Sequence, residues 1–380
     1  MNLNFPHREA VVVRGHELRV VRRFATEGDI KARAGERVGP DQVLGKSDPS
    51  AAAVRVDLAD RLDISPREAS KHLLKPVGST FGVGEAMARA RRGLRTAVVA
   101  APVAGTLIDV DTETGVASLV PTGAGELTAM VPGDIEFVDG RQSVMIRTVG
   151  ARVLGIFGIG GQARGPLRIA VGGPGEELSV KAITGDMKGA VVVGGAVAGA
   201  AALAKLVEVG AAAIVTGGML DREVATFMDW QGNDRLAPWR PQVGSGVLAD
   251  GSPSRLVMMV TEGFGRLPIA APAWEAMGEA NGRSAVVFAT TRLSAPLSRP
   301  ELILPNEGAL DDDATTSQAA LVPGAAVRLV DQANLGRFGT VAADPRRDRA
   351  GDGQVVDVVE IALGEGGSVT VPASAVEVLV

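Results

Sequence analysis

The sequence contains no cysteine and no tyrosine, and aromatic residues make up only 3% of its 380 residues. Without cysteine the chain has no disulfide, no thiolate metal ligand and no cysteine nucleophile. With so few aromatic rings it offers few platforms on which bases or sugars could stack. These absences exclude disulfide-stapled folds and thiol chemistry as explanations of what the chain does.

Lysine is also scarce, since only 7 of the 39 basic residues are lysine and the rest are arginine. The net charge of −5 is spread along the chain. Basic and acidic residues number 20 and 19 in residues 1–150, 14 and 17 in residues 151–320, and 5 and 8 in residues 321–380. Because no segment is strongly basic, we expect nucleic acid to bind only weakly and in a salt-sensitive manner.

Signals for a membrane, a metal or a nucleotide are missing as well. The N-terminus has no cationic segment before an apolar core, and the most apolar run, residues 189–204, is short and made largely of Gly and Ala. The three histidines are far apart, and no glycine-rich segment has both the spacing and the strand-to-helix context of a dinucleotide or phosphate loop. We therefore expect no membrane span, a cytoplasmic location, no metal and no cofactor.

Glycine is abundant, with 49 residues, and 46% of the chain is hydrophobic, so we expect a sizeable core and many tight turns. Two glycine-rich segments, residues 34–45 and 77–88, align without a gap. Their spacing predicts two copies of a hairpin that returns to a shared core. The matched positions are Gly35 with Gly78, Val38 with Phe81, Gly39 with Gly82, Leu44 with Met87, and Gly45 with Ala88.

Together with VVAAPVAGTLIDV at residues 98–110, these hairpins resemble the barrel-sandwich hybrid fold of biotinyl and lipoyl carriers. The resemblance implies such a domain over residues 1–150, with a helical insertion near residues 57–75 in which Asp63 caps a helix. Carrier domains hold a lysine flanked by Met or Asp. Lys31, Lys46 and Lys75 lack those flanks, so we expect a non-carrying version that serves as a structural or docking module.

From residue 190 onward, apolar runs alternate with Ala-rich segments. The pattern predicts strands at residues 190–193, 211–215, 255–260 and 284–289, with helices over 197–209, 220–229 and 272–279. Such alternation is typical of a parallel sheet covered on both faces. We therefore expect a parallel-sheet α/β domain over residues 151–308.

The carboxyl ends of parallel strands share one edge of the sheet, where ligands bind in open α/β folds. Glycines there admit a ligand to the backbone, and an arginine pairs with a carboxylate or phosphate. The same residues also serve for tight turns, and Glu262 and Arg292 would equally form a salt bridge. With both interpretations open, the predicted ligand-binding residues are Gly194, Gly195, Thr216, Gly217, Glu262, Thr290 and Arg292.

After a predicted linker at residues 309–320, residues 321–380 read as five short strands with glycine turns, a pattern that predicts a small barrel. The segment VRLVDQANLGRFGTV resembles a KOW motif, with Gly336, Gly339 and Val341 at the family's spacing. The resemblance implies an SH3-like barrel of the kind found in ribosomal and transcription-elongation proteins. Because this copy is acidic and has no lysine, we expect protein contacts, or a module that simply caps the chain, rather than RNA binding.

The predicted fold is thus multidomain, α/β plus all-β: a barrel-sandwich hybrid, a parallel-sheet α/β domain and a small SH3-like β-barrel. The predicted function is a multidomain adaptor or regulatory protein whose α/β domain binds a small anionic ligand and whose barrels contact protein partners. Two alternatives stay open: an enzyme acting on a small anionic substrate at the strand ends, and an RNA- or RNA polymerase-associated factor.

Overall fold

The computed structural model describes residues 12–24, 27–82, 84–92, 95–122, 125–140, 142–227, 256–291, 299–306, 321–331, 333–349, 355–364 and 366–378. The regular structure of these residues is mostly β-strand, distributed over several sheets. None of their helices is long and apolar enough to cross a bilayer. The chain is therefore a mainly β protein, and the helices predicted over residues 197–209, 220–229 and 272–279 are present at Ala200–Val209, Asp221–Phe227 and Ala271–Glu279.

The first half of the chain is built almost entirely from strands. These strands are β1 (Val12–Arg23), β2 (Gly28–Ile30), β3 (Arg37–Val38), β4 (Val43–Ser47), β5 (Val54–Asp57), β6 (Thr80–Phe81), β7 (Ala86–Arg92), β8 (Arg95–Ala100), β9 (Gly105–Val110), β10 (Val116–Pro121), β11 (Glu126–Thr128), β12 (Gly133–Asp139), β13 (Ser143–Leu154), β14 (Phe157–Ile159), β15 (Gln162–Ile169) and β16 (Glu177–Leu178).

The second half mixes strands with the longer helices. Its strands are β17 (Val191–Val193), β18 (Val197–Ala198), β19 (Ala213–Met219), β20 (Val257–Phe264), β21 (Ser284–Phe288), β22 (Glu301–Pro305), β23 (Ala326–Leu329), β24 (Phe338–Val341), β25 (Arg346–Arg349), β26 (Val355–Leu363), β27 (Ser368–Pro372) and β28 (Val376–Val378). The described α-helices are α1 (Leu58–Leu62), α2 (Ala200–Val209), α3 (Asp221–Phe227) and α4 (Ala271–Glu279). Short 3-10 helices cover Pro49–Ala52, Pro66–His72, Val180–Ala182, Gly185–Met187 and Ala373–Ala375.

A large mixed sheet forms the centre of the molecule. Its strand order is β14-β20-β19-β17-β15-β21-β22-β13-β12-β3, and β1 also pairs with β13. Only β15, β17, β19 and β20 run parallel to one another. The sequence prediction of a wholly parallel sheet is therefore corrected: the predicted strand at residues 284–289 is β21, which runs antiparallel to β15.

Both faces of the parallel part are covered, as the long apolar runs predict. One face packs against α2 and α3, and the other packs against α4. The predicted domain boundary at residue 150 falls inside β13, a 12-residue strand that pairs with β1, β12 and β22. Hydrogen bonding therefore continues from the N-terminal strands into the central sheet. The predicted linker at residues 309–320 lies outside the described residues.

The N-terminal strands form two copies of one arrangement, with the second copy inserted in the first. The outer copy consists of β1, β3, β4, β11, β12 and β13. The inner copy consists of β5, β6, β7, β8, β9 and β10, which stand in the same chain order. The whole inner copy lies between β4 and β11, which still pair with each other as neighbours.

Equivalent hydrogen bonds establish the correspondence between the copies. In the outer copy, the amide of Gly35 donates to Ile135 O at 2.8 Å; in the inner copy, Gly78 N donates to Leu107 O at 2.7 Å. A second backbone hydrogen bond is also repeated between the copies. Lys31 N donates to Leu44 O at 2.8 Å, and 43 residues later Leu74 N donates to Met87 O at the same distance. The pairing of β4 with β11 and the pairing of β7 with β8 also shift register at equivalent residues.

Each copy has its own hydrophobic core, and equivalent positions fill both. Val38, Leu44 and Ile135 are buried in the outer core, where Phe81, Met87 and Leu107 are buried in the inner one. The predicted repeat of residues 34–45 and 77–88 is therefore present in the structure. The two cores are separate, whereas the sequence pattern predicts a single shared core.

The inner copy carries the predicted helical insertion, formed by α1 and the 3-10 helix Pro66–His72. Asp57, not Asp63, caps α1, because its carboxylate accepts from Asp60 N at 2.9 Å. Asp63 ends α1 in a left-handed conformation, with φ of 50°. The predicted capping role of Asp63 is therefore wrong: Ser65, not Asp63, occupies the N-cap position of the following helix.

The C-terminal module is one six-stranded sheet, in which β23 pairs with both β24 and β28 and β26 pairs with β24, β25 and β27. Val341 is buried in its core. The turn that contains Gly336 packs against the end of β20, where Gly336 O would lie 3.2 Å from a Cβ on Gly263. Leu335 extends into the core of the central sheet. The turn at Gly336 is thus covered by the chain itself.

Candidate functional site

Five of the seven predicted site residues come together at the carboxyl edge of β17, β19 and β20. Gly217 N donates to Gly195 O at 2.8 Å, which joins the end of β17 to β19. Thr261 Oγ1 lies 3.5 Å from Thr216 O, and this contact joins β19 to β20 next to Glu262. The expected clustering of Gly194, Gly195, Thr216, Gly217 and Glu262 is therefore present.

The other two predicted residues do not extend this cluster. Thr290 follows β21, and because β21 is antiparallel its last residue, Phe288, pairs with Gln162 at the beginning of β15. Thr290 therefore lies at the opposite, amino edge of the parallel strands, and the prediction that it joins the other site residues is wrong. Arg292 lies outside the described residues.

Glycines in the cluster bring strand ends close to the chain's own backbone. Gly195 has a φ of 68°, and a Cβ there would lie 2.3 Å from Glu176 O. A Cβ on Gly217 would lie 2.1 Å from Leu267 O. Both distances are shorter than any atomic contact tolerates, so only glycine fits. Backbone of residues 176 and 267 occupies the space that the sequence interpretation assigns to a ligand.

Glu262 is almost fully buried, and both of its carboxylate oxygens have partners. Oε1 accepts from Ala270 N at 3.0 Å and from Thr261 Oγ1 at 3.0 Å. Ala270 is the N-cap of α4, so this negative charge also stabilises the helix terminus. Oε2 accepts from Arg328 Nη1 at 2.9 Å. Glu262 thus forms a salt bridge with an arginine of the C-terminal module. The alternative salt bridge with Arg292 stays a prediction, because Arg292 lies outside the described residues.

Arg328 is the centre of a buried ionic cluster that joins the C-terminal module to the central sheet. Its side chain is 0% exposed. It donates to Glu377 Oε2 from Nη2 at 2.6 Å and from Nε at 2.9 Å, and to Thr261 O at 2.8 Å. Arg299 donates from Nη1 to the other oxygen of Glu377 at 2.8 Å. Two arginines and two glutamates thus neutralise one another.

The cluster changes the acidity of Glu377. Burial alone would raise the pKa of this carboxyl group, because water no longer solvates its charged form. The charges and hydrogen bonds of Arg299 and Arg328 outweigh burial and leave the pKa of Glu377 below its ordinary value. Glu377 is therefore ionised in the folded protein at neutral pH, and its charge holds both arginines.

The N-terminus of α2, a second place where an external anion would be favoured, holds a carboxylate of the chain. Glu223, in α3, accepts from Ala200 N at 2.9 Å through Oε2. Together with Glu262 at α4, it occupies the position that phosphates take in nucleotide-binding folds. Any anionic ligand at this edge has to bind beside these helix termini rather than on them.

An open groove lies beside the cluster, where β19 and β20 pass into α3 and the following loop. Its volume is about 510 Å³. Arg222 is 91% exposed, and its guanidinium lies 3.7 Å from the carboxylate of Glu223. Apolar side chains, one arginine and the carboxylate of Glu223 therefore face the same space. The described residues that line the groove are Met219, Leu220, Arg222, Glu223, Phe264 and Gly265.

Neither the comparison with protein-family models nor the search of curated proteins finds a match to this chain. The resemblances to the barrel-sandwich hybrid fold and to KOW modules rest on the residues quoted above and stay predictions. Function is therefore inferred from the geometry of this molecule.

Sequence reasoning misses the residues that matter most at this edge. Arg328 stands between Val327 and Leu329, and Glu377 between two valines, so each is one charge inside a buried strand. Such isolated charges are rare unless they are paired, and this is the signal that would have identified the cluster. Arg222 carries no such signal, because helix surfaces are commonly charged.

Proposed function

We propose that this protein is a multidomain adaptor or regulatory protein whose central sheet binds a small anionic ligand and whose barrels contact protein partners. The groove beside β19 and β20 supports the ligand-binding part. It lies at the carboxyl ends of parallel strands, where ligands bind in α/β sheets. Its volume, about 510 Å³, is within the range of small-molecule sites.

The lining of the groove defines the class of ligand. Met219, Leu220 and Phe264 offer an apolar surface, and Arg222 offers an exposed guanidinium. Arginine forms bidentate hydrogen bonds with carboxylates and phosphates. The ligand that matches both features is a small molecule with an apolar body and one anionic group. The buried residues Thr216 and Glu262 stabilise the strand ends beside the groove and do not touch this ligand.

The docked C-terminal module supports the adaptor part of the proposal. The buried ionic cluster and the Gly336 turn fix this module against the central sheet close to Glu262. A ligand at the strand ends therefore lies near a junction between two modules. Such a position suits a protein that conveys ligand binding to partners through its domain arrangement.

Isothermal titration calorimetry with benzoate, a small apolar anion, tests the ligand-binding part. Wild type and Arg222→Ala are titrated in parallel, with Arg37→Ala as the control, since Arg37 is similarly exposed and belongs to the outer copy. Removing the Arg222 guanidinium is expected to weaken benzoate binding by about tenfold, while Arg37→Ala leaves it unchanged. Absence of benzoate binding, or equal binding by Arg222→Ala, would contradict the proposal.

A further inference from the structure

The hairpin of β7 and β8 in the inner copy presents an uncompensated positive charge that the outer copy neutralises. The two hairpins are equivalent, so the residues of β7–β8 around the shared register shift have counterparts in β4–β11. Arg89 corresponds to Lys46, and Val98, directly opposite Arg89, corresponds to Glu126. The two hairpins therefore differ in charge at matched positions.

In the outer copy, two carboxylates surround Lys46. Glu126 is paired with Lys46 across the hairpin, with Nζ and Oε1 2.8 Å apart. On the other side, Asp29 of β2 lies directly opposite Lys46. The charge of Lys46 is therefore compensated by the chain, and β2 covers the edge of β4.

In the inner copy, both carboxylates are replaced. Val98 stands in place of Glu126, and this residue is 49% exposed. His72 stands in place of Asp29, and its Nδ1 lies 3.0 Å from Arg89 O rather than from a charged group. No carboxylate of the described residues pairs with the Arg89 guanidinium. The strand that corresponds to β2 is reduced to a single bridge between Leu73 and Ala88, which follows the 3-10 helix Pro66–His72.

The outward face of the inner hairpin is consequently cationic and apolar. Arg89 alternates along β7 with the buried Ala90 and therefore lies on the outer face. Val98 is exposed directly opposite Arg89 on β8. The inner face of the same hairpin is buried against the inner core.

From this comparison we infer that the outer face of β7–β8 binds an acidic, extended segment of a partner protein. Carboxylates of the segment replace the missing Glu126 and Asp29 counterparts at Arg89, and its apolar side chains cover Val98. A partly exposed valine beside the arginine offers nothing to a phosphate backbone, so an acidic polypeptide fits this face better than a nucleic acid. The inference rests on the proposed adaptor function and names the partner class for one of its barrels.

Fluorescence anisotropy on the full chain tests the inference with a fluorescein-labelled (Glu-Val)₅ peptide as the probe. Wild type is expected to bind this peptide more tightly at low salt than at physiological salt, because the contacts are ionic. Arg89→Gln is expected to bind it about three- to tenfold more weakly. Val98→Glu recreates the outer-copy ion pair and is expected to have the same effect. Lys46→Gln, the equivalent change in the outer copy, is the matched control and leaves binding unchanged.

The outcomes separate this surface from the groove. Arg222→Ala is expected to bind the peptide like wild type. A loss of ligand binding at the groove therefore does not account for a loss of peptide binding at β7–β8. Absence of peptide binding, or equal binding by Arg89→Gln and Val98→Glu relative to wild type, overturns the inference. A 20-base-pair DNA duplex that binds as tightly as the peptide and shows the same loss in Arg89→Gln also overturns it, in favour of a nucleic-acid surface. If one variant does not fold, the other still decides.

Discussion

Arg328 donates from Nη1 to Oε2 of Glu262 at 2.9 Å, and this buried contact joins two modules through residues that are 66 positions apart in the chain. The same arginine binds Glu377 of its own module. The sequence predicts Glu262 as a ligand-binding residue because it lies near a strand end. In the structure its carboxylate binds Arg328 of the same chain instead. This contact also fixes the C-terminal module beside the groove.

Removing Arg328 should destabilise the protein strongly. Arg328→Met leaves Glu262 and Glu377 buried with fewer compensating charges, and breaking a buried pair in this way costs about 3–5 kcal/mol of unfolding free energy. Urea denaturation followed by circular dichroism measures this change. Arg346→Met, which removes a half-exposed arginine from the same module, is the control and should have an effect within about 0.5 kcal/mol. Equal effects of the two substitutions would show that the cluster contributes no special stability.

The ionic cluster should also make the free energy of unfolding depend on pH. The pKa of Glu377 is lowered in the folded state, so the unfolded chain takes up this proton first as the pH falls. The stabilisation is therefore complete above about pH 4.5, the ordinary value, and is lost as the pH falls through the lower folded-state pKa. Unfolding free energies between pH 6 and 3 should fall less steeply in Glu377→Gln than in wild type. Identical pH profiles would rule out this role for Glu377.

Glycine at position 217 should be required by the close approach of Leu267 O. Gly217→Ala places a methyl group where only 2.1 Å is available, and such overpacking costs about 1–3 kcal/mol. Gly278→Ala is the matched control, because position 278 is helical and no atom outside its own helix turn and chain neighbours lies within 4 Å of the place that an alanine methyl would take there. That control should stabilise the protein by about 0.4–1 kcal/mol. Thermal unfolding of both variants compares them, and a neutral Gly217→Ala would refute the packing argument.

The inner copy should be removable without unfolding the remainder. Ser47 N donates to Gly125 O at 2.7 Å, so the chain leaves and re-enters the outer copy at adjacent residues. Replacing residues 48–124 with Asn-Gly, a favoured two-residue hairpin turn, should therefore close β4 onto β11. The shortened chain is expected to unfold cooperatively and to bind benzoate like wild type. A shortened chain without a cooperative thermal transition would show that the inner copy is integral to the fold.

Much of the fold follows from local patterns. The glycine turns at Gly35 and Gly78 and the apolar residues after them predict the repeat because turns and alternation are local signals. The second half of the repeat is also readable, since APVAGTL at residues 101–107 matches AMVPGDI at residues 129–135, but the 43-residue spacing of the first half does not apply to it. Because one copy is nested in the other, the number of residues between equivalent positions differs in the two halves of the repeat. A search at constant spacing therefore finds only the first half.

The site is less predictable, for reasons that lie in tertiary structure. A strand such as residues 284–288 has the same apolar pattern whether it runs parallel or antiparallel, so sequence alone places Thr290 at the wrong edge. The partner of Glu262 is 66 residues away, and no local pattern distinguishes Arg328 from Arg292 as that partner. Likewise, glycines that admit a ligand and glycines that admit the chain's own backbone have the same sequence appearance.

The most direct test of ligand binding at the groove is NMR of the methionine methyl groups during a benzoate titration. Met219 lines the groove, whereas Met145 lies on β13, several strands away from it in the central sheet. In wild type, the Met219 methyl resonance should shift saturably with benzoate while Met145 stays unchanged. In Arg222→Ala the Met219 shift should require about tenfold more benzoate. A Met219 resonance that does not move in wild type, or that moves identically in Arg222→Ala, would contradict the proposed ligand site.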